Sequence, residues 1–321
     1  MQRELFLGVD GGGTRCRARL VDASGKILGE GSAGPANIRF GIEPSFAAVL
    51  EASVQCLETA GLAYGNLQES VACLALAGAT EPTELANARA QKLPFGETLI
   101  TTDAHAACVG AHGGRDGGIL IVGTGTVGWA MVRGRNYRVG GWGLPVSDEG
   151  SGAWLGCEAL RRVLWAHDGR VAWTDLLRAV FAEFHDDPHA IVRWATHARP
   201  GEFGKFAPLI VEHAALGDPA ARELLSAAAH HLDELAVRLL ASGAERIALM
   251  GGLAPRVEPW LAAETRGHLV EAKGDALAGA LQLAQAETLS LPELIGAGAL
   301  SPEVSGIDAA HSASGPRGEE L

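Results

Sequence analysis

Twice in this chain a short apolar run stops on a cluster of residues with little or no side chain. Residues 5–10 (Leu-Phe-Leu-Gly-Val-Asp) run into Gly11-Gly12-Gly13-Thr14, and residues 118–122 run into Gly123-Thr124-Gly125-Thr126. Alternation resumes directly after each cluster. Arg15, Arg17 and Arg19 interleave with Cys16, Ala18 and Leu20, and residues 127–133 repeat the pattern. A period of two is that of a half-buried strand, so each half opens as a strand, a glycine turn and a second strand. The first unit continues through Ser24-Gly25-Lys26 into a third strand at 27–30. Such a repeat predicts an α/β protein of two related halves facing one another.

The remaining patterns fit that plan. Strands are expected at 71–78, 97–102 and 245–250. Helices are expected at 43–60, 83–93, 104–112, 150–167, 173–185, 188–195, 204–214, 219–241 and 275–287. The division falls near residue 115, giving an N-terminal domain over 1–115 and a C-terminal domain over 116–287. The last helix is free to pack back on the first domain. Residues 288–321, rich in Gly, Ser, Pro and Ala without periodicity, read as a loosely ordered tail.

Composition removes several function classes. The chain has 321 residues and a net charge of −12, with 26 basic against 38 acidic side chains. Only Lys26, Lys92, Lys205 and Lys273 are lysines, so no basic footprint for nucleic acid is present. No apolar run approaches the ~18 residues that would span a bilayer, and the amino terminus enters a strand pattern with no signal-peptide core. The five cysteines (Cys16, Cys56, Cys73, Cys108 and Cys157) are scattered, with no C-x-x-C pair. They read as reduced core thiols in a cytoplasmic protein. Glycine is in excess, 43 residues, about twice the usual ~7%.

Glycine at a strand end leaves backbone N–H groups bare, and the resulting concavity suits a phosphate. An ordinary hairpin would also welcome glycine; two such turns, each followed by threonine and each heading a half, favour the phosphate reading. The run Gly123-Thr-Gly-Thr-Val-Gly128 satisfies G-x-G-x-x-G, but a dinucleotide site needs a helix to begin inside the motif, and here a strand follows. No Walker A sequence occurs.

Six motifs in order carry a family resemblance. Asp10-Gly-Gly-Gly-Thr-Arg15 resembles the first phosphate motif of the actin-like sugar kinases, Gly123-Thr-Gly-Thr126 the second, and Leu249-Met-Gly-Gly252 the adenosine motif. Thr101-Thr-Asp-Ala104, Gly140-Gly-Trp-Gly143 and Ser147-Asp-Glu-Gly-Ser151 resemble the N-acetylglucosamine kinase and glucosamine kinase branch. Pro35-Ala-Asn37-Ile and Leu74-Ala-Leu-Ala-Gly78 are most similar to bacterial glucosamine kinases. The resemblance spans residues 5–285. It implies two actin-like (ribonuclease H-like) domains with a nucleotide cleft between them. It also implies transfer of the ATP γ-phosphate to the 6-hydroxyl of glucosamine, with N-acetylglucosamine as the alternative acceptor. The partners are then an amino sugar and ATP, with a homodimer as the candidate assembly.

Residue roles follow from that chemistry. Asp103 would be the base taking the hydroxyl proton, although an aspartate ahead of a helix also suits an N-cap. Asp10 would hold Mg²⁺, or else an Asx turn. Gly12, Gly13, Thr14 and Arg15 would line the phosphates from one side, and Gly123, Thr124, Gly125 and Thr126 from the other. Gly251 and Gly252 would take the adenosine. The resemblance points to Asn37, Asp103, Gly141, Trp142, Gly143 and Asp148 for the sugar; Trp142 could equally anchor packing, and Asp148 could cap the following helix. A reductase-activating ATPase of the same fold is the more distant alternative, and would need cluster-ligating cysteines. His230-His231 sit at adjacent helical positions, which do not share a face.

Overall fold

The structure is a computed structural model that describes residues 5–287, so the expected tail at 288–321 lies outside the described residues. Each half is built on a five-stranded sheet. In the first, β1 (Leu5–Gly11), β2 (Cys16–Asp22) and β3 (Ile27–Ala33) form an antiparallel meander, and β4 (Ser70–Leu76) and β5 (Glu97–Thr102) add parallel to β1. In the second, β6 (Gly117–Val122), β7 (Thr126–Val132) and β8 (Arg135–Gly140) form the meander. Here β9 (Ile247–Met250) and β10 (Leu269–Val270) add parallel to β6. The strand orders are β3-β2-β1-β4-β5 and β10-β9-β6-β7-β8, one the mirror listing of the other. The repeat inferred from the glycine turns is thus a repeat of topology. β7 follows the second turn directly, so the G-x-G-x-x-G match opens no helix.

Helix α1 (Ile42–Ala60) covers one face of the first sheet, and α2 (Pro82–Arg89) leads into β5. The second half carries a larger helical layer. It comprises α4 (Gly152–His167), α5 (Asp175–Ala182), α6 (Pro188–Ala195), α7 (Pro200–Phe203), α8 (Ala207–Ala215) and α9 (Pro219–Ala241). Short α10 (Ala254–Val257) and α11 (Ala263–Gly267) follow β9. Between the sheets lie α3 (Asp103–His112) and α12 (Ala276–Glu287). Ala106 of α3 packs with Phe6, Val71, Cys73 and, on α12, Ala280 and Leu281, whereas Ala107, Cys108 and Ala111 pack with Ile119 and Ala248. The two helices therefore form a layer shared by both halves.

β8 is the strand the residue pattern does not announce. Its sequence Arg-Asn-Tyr-Arg-Val-Gly has no apolar alternation, and its residues are mostly half-buried. Pairing with β7 makes it a strand, as tertiary context overrides propensity.

Candidate active site

The parallel strands of both sheets release the chain where the candidate residues lie. β1 ends into Gly11–Gly13, β5 into Asp103, β6 into Gly123 and β9 into Gly251. Crevices at the carboxyl ends of parallel strands are where α/β proteins bind ligands. In the first loop Gly12 N–H donates to Arg15 carbonyl (3.0 Å), leaving Gly13, Thr14 and Arg15 exposed at the tip. In the second, Gly152 and Ala153 N–H, the first of α4, donate to the Gly123 and Thr124 carbonyls at 2.8 and 3.1 Å. The loop is thus docked on the positive end of α4. Thr124 is exposed. Thr126 is buried, and its hydroxyl lacks a hydrogen-bond partner. Gly251 has φ +100°, and Leu253 N–H donates to Val122 carbonyl at 3.0 Å, so the candidate adenosine turn lies against the residue preceding Gly123. Gly252 is exposed beside it.

A series of close approaches runs from the first glycine loop to the second. A Cβ on Gly13 would lie 3.8 Å from Asn37 Nδ2. Asn37 Oδ1 accepts from Arg39 N–H at 3.0 Å, and Arg39 Nη1 lies 3.3 Å from the Cβ position of Gly143, in the other half. Gly143 N–H donates to Asp148 Oδ1 at 3.1 Å, and Asp148 Oδ2 sits 2.6 Å from the Cβ position of Gly125. Gly13, Asn37, Gly143, Asp148 and Gly125 therefore border one region. Gly141 completes the turn at φ +72°, where a Cβ would strike Val127 at 2.7 Å. Both conditions favour glycine there. Trp142 is 66% exposed, which argues against the packing-anchor alternative.

Asp103 occupies the first turn of α3, and the cap is Thr102, whose Oγ1 accepts from His105 N–H at 3.0 Å. The N-cap alternative for Asp103 is thereby corrected: Thr102 meets that need. Asp103 Oδ1 accepts from Ala104 N–H at 2.9 Å. Burial pushes its carboxyl above the usual carboxylate range, the Ala104 N–H opposes this, the Asp10 charge adds to it, and Arg138 opposes it. A carboxylate with raised proton affinity is a better proton acceptor near neutral pH. Burial raises the Asp148 carboxyl as well, against the Gly143 hydrogen bond.

Asp10, next to last in β1, has its Oδ2 held by Arg17 Nη2 at 2.6 Å, and the same nitrogen lies 2.8 Å from Asp275 Oδ2. No three His, Cys, Asp or Glu side chains among the described residues group to hold an ion unaided. Mg²⁺ carried on phosphates needs only one or two carboxylates, and Asp10 beside the first glycine loop fits that donor set. Cys16, Cys56, Cys73 and Cys108 are buried, with the thiols of Cys16, Cys56 and Cys108 pushed up to about 12 by burial. They read as core packing rather than cluster ligands.

Arg39, Arg138, Arg17 and Asp275 are the charged neighbours that motif reading passes over. None lies in a glycine cluster; Arg39 reaches Gly143, and Arg17 meets Asp275, only because the fold brings distant segments together.

Two opposed α/β halves of matching strand order, with glycine loops converging between them, are the actin-like ATPase architecture. A model of the BadF/BadG/BcrA/BcrD ATPase family matches residues 7–284, and the chain belongs to that family. Glucosamine kinase GspK of Vibrio cholerae is 40% identical over 279 residues, 87% of this chain and 95% of that protein. N-acetyl-D-glucosamine kinase of Dictyostelium discoideum is 30% identical over 252 residues, 73% of this chain and 79% of that protein. A Chromobacterium violaceum structure assigned as an N-acetylglucosamine kinase superposes with a TM-score of 0.82 at 35% identity, covering 88% and 99% of the two chains.

Proposed function

We propose that this chain is an ATP-dependent amino-sugar kinase that transfers the γ-phosphoryl group to the 6-hydroxyl of glucosamine. The observation that carries the reading is the series of close approaches from Gly13 through Asn37, Arg39, Gly143 and Asp148 to Gly125, with Asp103 at the adjoining strand end. The likeness to the Vibrio enzyme supports glucosamine as acceptor. The triphosphate lies between Gly12–Arg15 and Gly123–Thr126, with the adenosine on Gly251 and Gly252. Mg²⁺, when bound, neutralises polyphosphate charge and is held through Asp10. Asn37, the Gly141–Gly143 backbone and Asp148 orient the sugar through directional donors and acceptors. Asp103 accepts the 6-hydroxyl proton as the new O–P bond forms. The buried thiols of Cys16, Cys56 and Cys108 accord with a reducing, cytoplasmic setting, and no helix among the described residues is long and apolar enough to cross a membrane.

N-acetylglucosamine is the second acceptor, favoured by the names of the Dictyostelium and Chromobacterium proteins. Coupled ADP release measured with both sugars tests the order. A higher kcat/KM for glucosamine is expected, and a strong preference for the acetylated sugar would reverse it.

A further inference from the structure

Two arginines outside every motif converge on the acceptor end of the cleft from opposite halves. Arg39 follows Asn37 in a 3-10 turn of the first half (Ile38–Phe40), and its Nη1 reaches the Gly143 turn of the second. Arg138 projects from β8. Its Nε donates to Gly140 carbonyl at 3.1 Å, its Nη2 donates to Gly141 carbonyl, and its guanidinium lies 4.1 Å from the Trp142 ring centre. Arg138 is close enough to Arg39 to feel it as a like charge, and close enough to Asp103 and Asp148 to feel both as counter-charges. Asp148 in turn faces Glu149, Arg39 and Arg138. Arg138 is half-buried and Arg39 exposed at the mouth of the same turn; like charges on either side of one turn repel, and an anion between them relieves that repulsion. The planar fork of guanidinium matches phosphate oxygens two at a time.

We propose that Arg39 and Arg138 together form the binding site for the phosphate of the sugar-phosphate product, a dianionic phosphomonoester held between the halves. The proposal rests on the amino-sugar kinase reading. In the transfer step the sugar 6-oxygen bonds to the γ-phosphorus as the bond from that phosphorus to the β,γ-bridging oxygen breaks. The electron pair leaves on ADP, and the hydroxyl proton passes to the Asp103 carboxylate. Arg138 thereby loses one of its two carboxylate neighbours in the step that places a dianion on the sugar, and the new phosphate supplies the missing counter-charge. The free sugar carries no such group, so the pair discriminates product from substrate.

Titration calorimetry of the full chain with glucosamine and with glucosamine 6-phosphate tests this. Arg39→Met and Arg138→Met are expected to weaken the 6-phosphate by about tenfold or more, the scale of a hydrogen bond to a charged group. Free glucosamine is expected to stay within about threefold in Arg39→Met, and Arg39→Lys to recover part of the loss. Arg138 also ties down the Gly140–Gly141 carbonyls, so Arg39→Met is the deciding variant should Arg138→Met misfold. Equal weakening of both ligands in Arg39→Met, or unchanged 6-phosphate affinity, would overturn the inference while leaving wild-type, sugar-dependent ADP release intact. Absence of both that release and glucosamine binding in the wild type would overturn the kinase reading itself, and the inference with it.

Discussion

Asp103 sits in a setting that works against the folded state at neutral pH. Its carboxyl is raised by burial and by Asp10, so above the ordinary carboxylate pKa of ~4 the unfolded chain ionises more readily than the folded one. Stability is withheld there, and regained as pH falls below that value. Asparagine keeps an oxygen for the Ala104 N–H and removes the charge. Asp103→Asn is therefore expected to melt at or above the wild-type temperature at pH 7 while losing about 10²-fold or more in kcat. Thermal melts beside steady-state kinetics check both halves of that statement. The base works only when deprotonated, so the acid limb of kcat/KM belongs above the ordinary carboxylate range, and a limb near pH 4 would contradict the assignment. Asp103, Asp10 and the glycines were legible because their neighbours in sequence are also their neighbours in space. Arg39 and Arg138 were not: Arg39 reaches the Gly143 turn about a hundred residues on, and Arg138, though tied to its own neighbours Gly140 and Gly141, meets the charges of Arg39, Asp103 and Asp148 only in the packed chain.

At the scale of elements, the α3–α12 crossing holds the halves together through backbone proximity. A Cβ at Gly279 would lie 1.8 Å from Ala106 carbonyl oxygen, and one at Gly110 2.1 Å from Asp275 carbonyl oxygen. Replacing a mid-helix glycine with alanine ordinarily gains ~1 kcal/mol, whereas forcing atoms into a packed contact costs ~1–3 kcal/mol or more. Here the obstacle is backbone, so the cost wins. Gly279→Ala is expected to lower stability by about 2 kcal/mol or more in urea unfolding; a gain would refute the close crossing. The seam also holds His105, with Nδ1 2.7 Å from Thr101 Oγ1 and its ring facing Trp129. Burial lowers its pKa to about 4. Between that value and the ordinary ~6.5 the unfolded chain binds the extra proton, so stability falls as pH drops through that window. The urea midpoint should decline from pH 7 to pH 4.5, and His105→Gln should flatten the decline. These helices were legible in the sequence as runs rich in alanine; β8 was not, since Arg135–Gly140 owes its strand form to β7 rather than to alternation.

Across the whole molecule, the matching strand orders explain why one kind of loop appears twice. Each half contributes the carboxyl ends of its parallel strands, and facing them across α3 and α12 produces a cleft lined by both. Closure follows from ligands that touch both sides. Small-angle scattering should show a smaller radius of gyration with glucosamine and a non-hydrolysable ATP analogue than with neither; identical profiles would count against closure. The glycine repeat exposed this plan in the sequence, but the electrostatic join between halves emerged only from the packed chain. The most direct measurement is a crystal structure of that ternary complex. The γ-phosphate should lie within hydrogen-bond reach of both Gly12–Arg15 and Gly123–Thr126, with the sugar 6-hydroxyl ~3 Å from an Asp103 carboxylate oxygen. A nucleotide seated away from either loop, or a 6-hydroxyl turned from Asp103, would contradict the account.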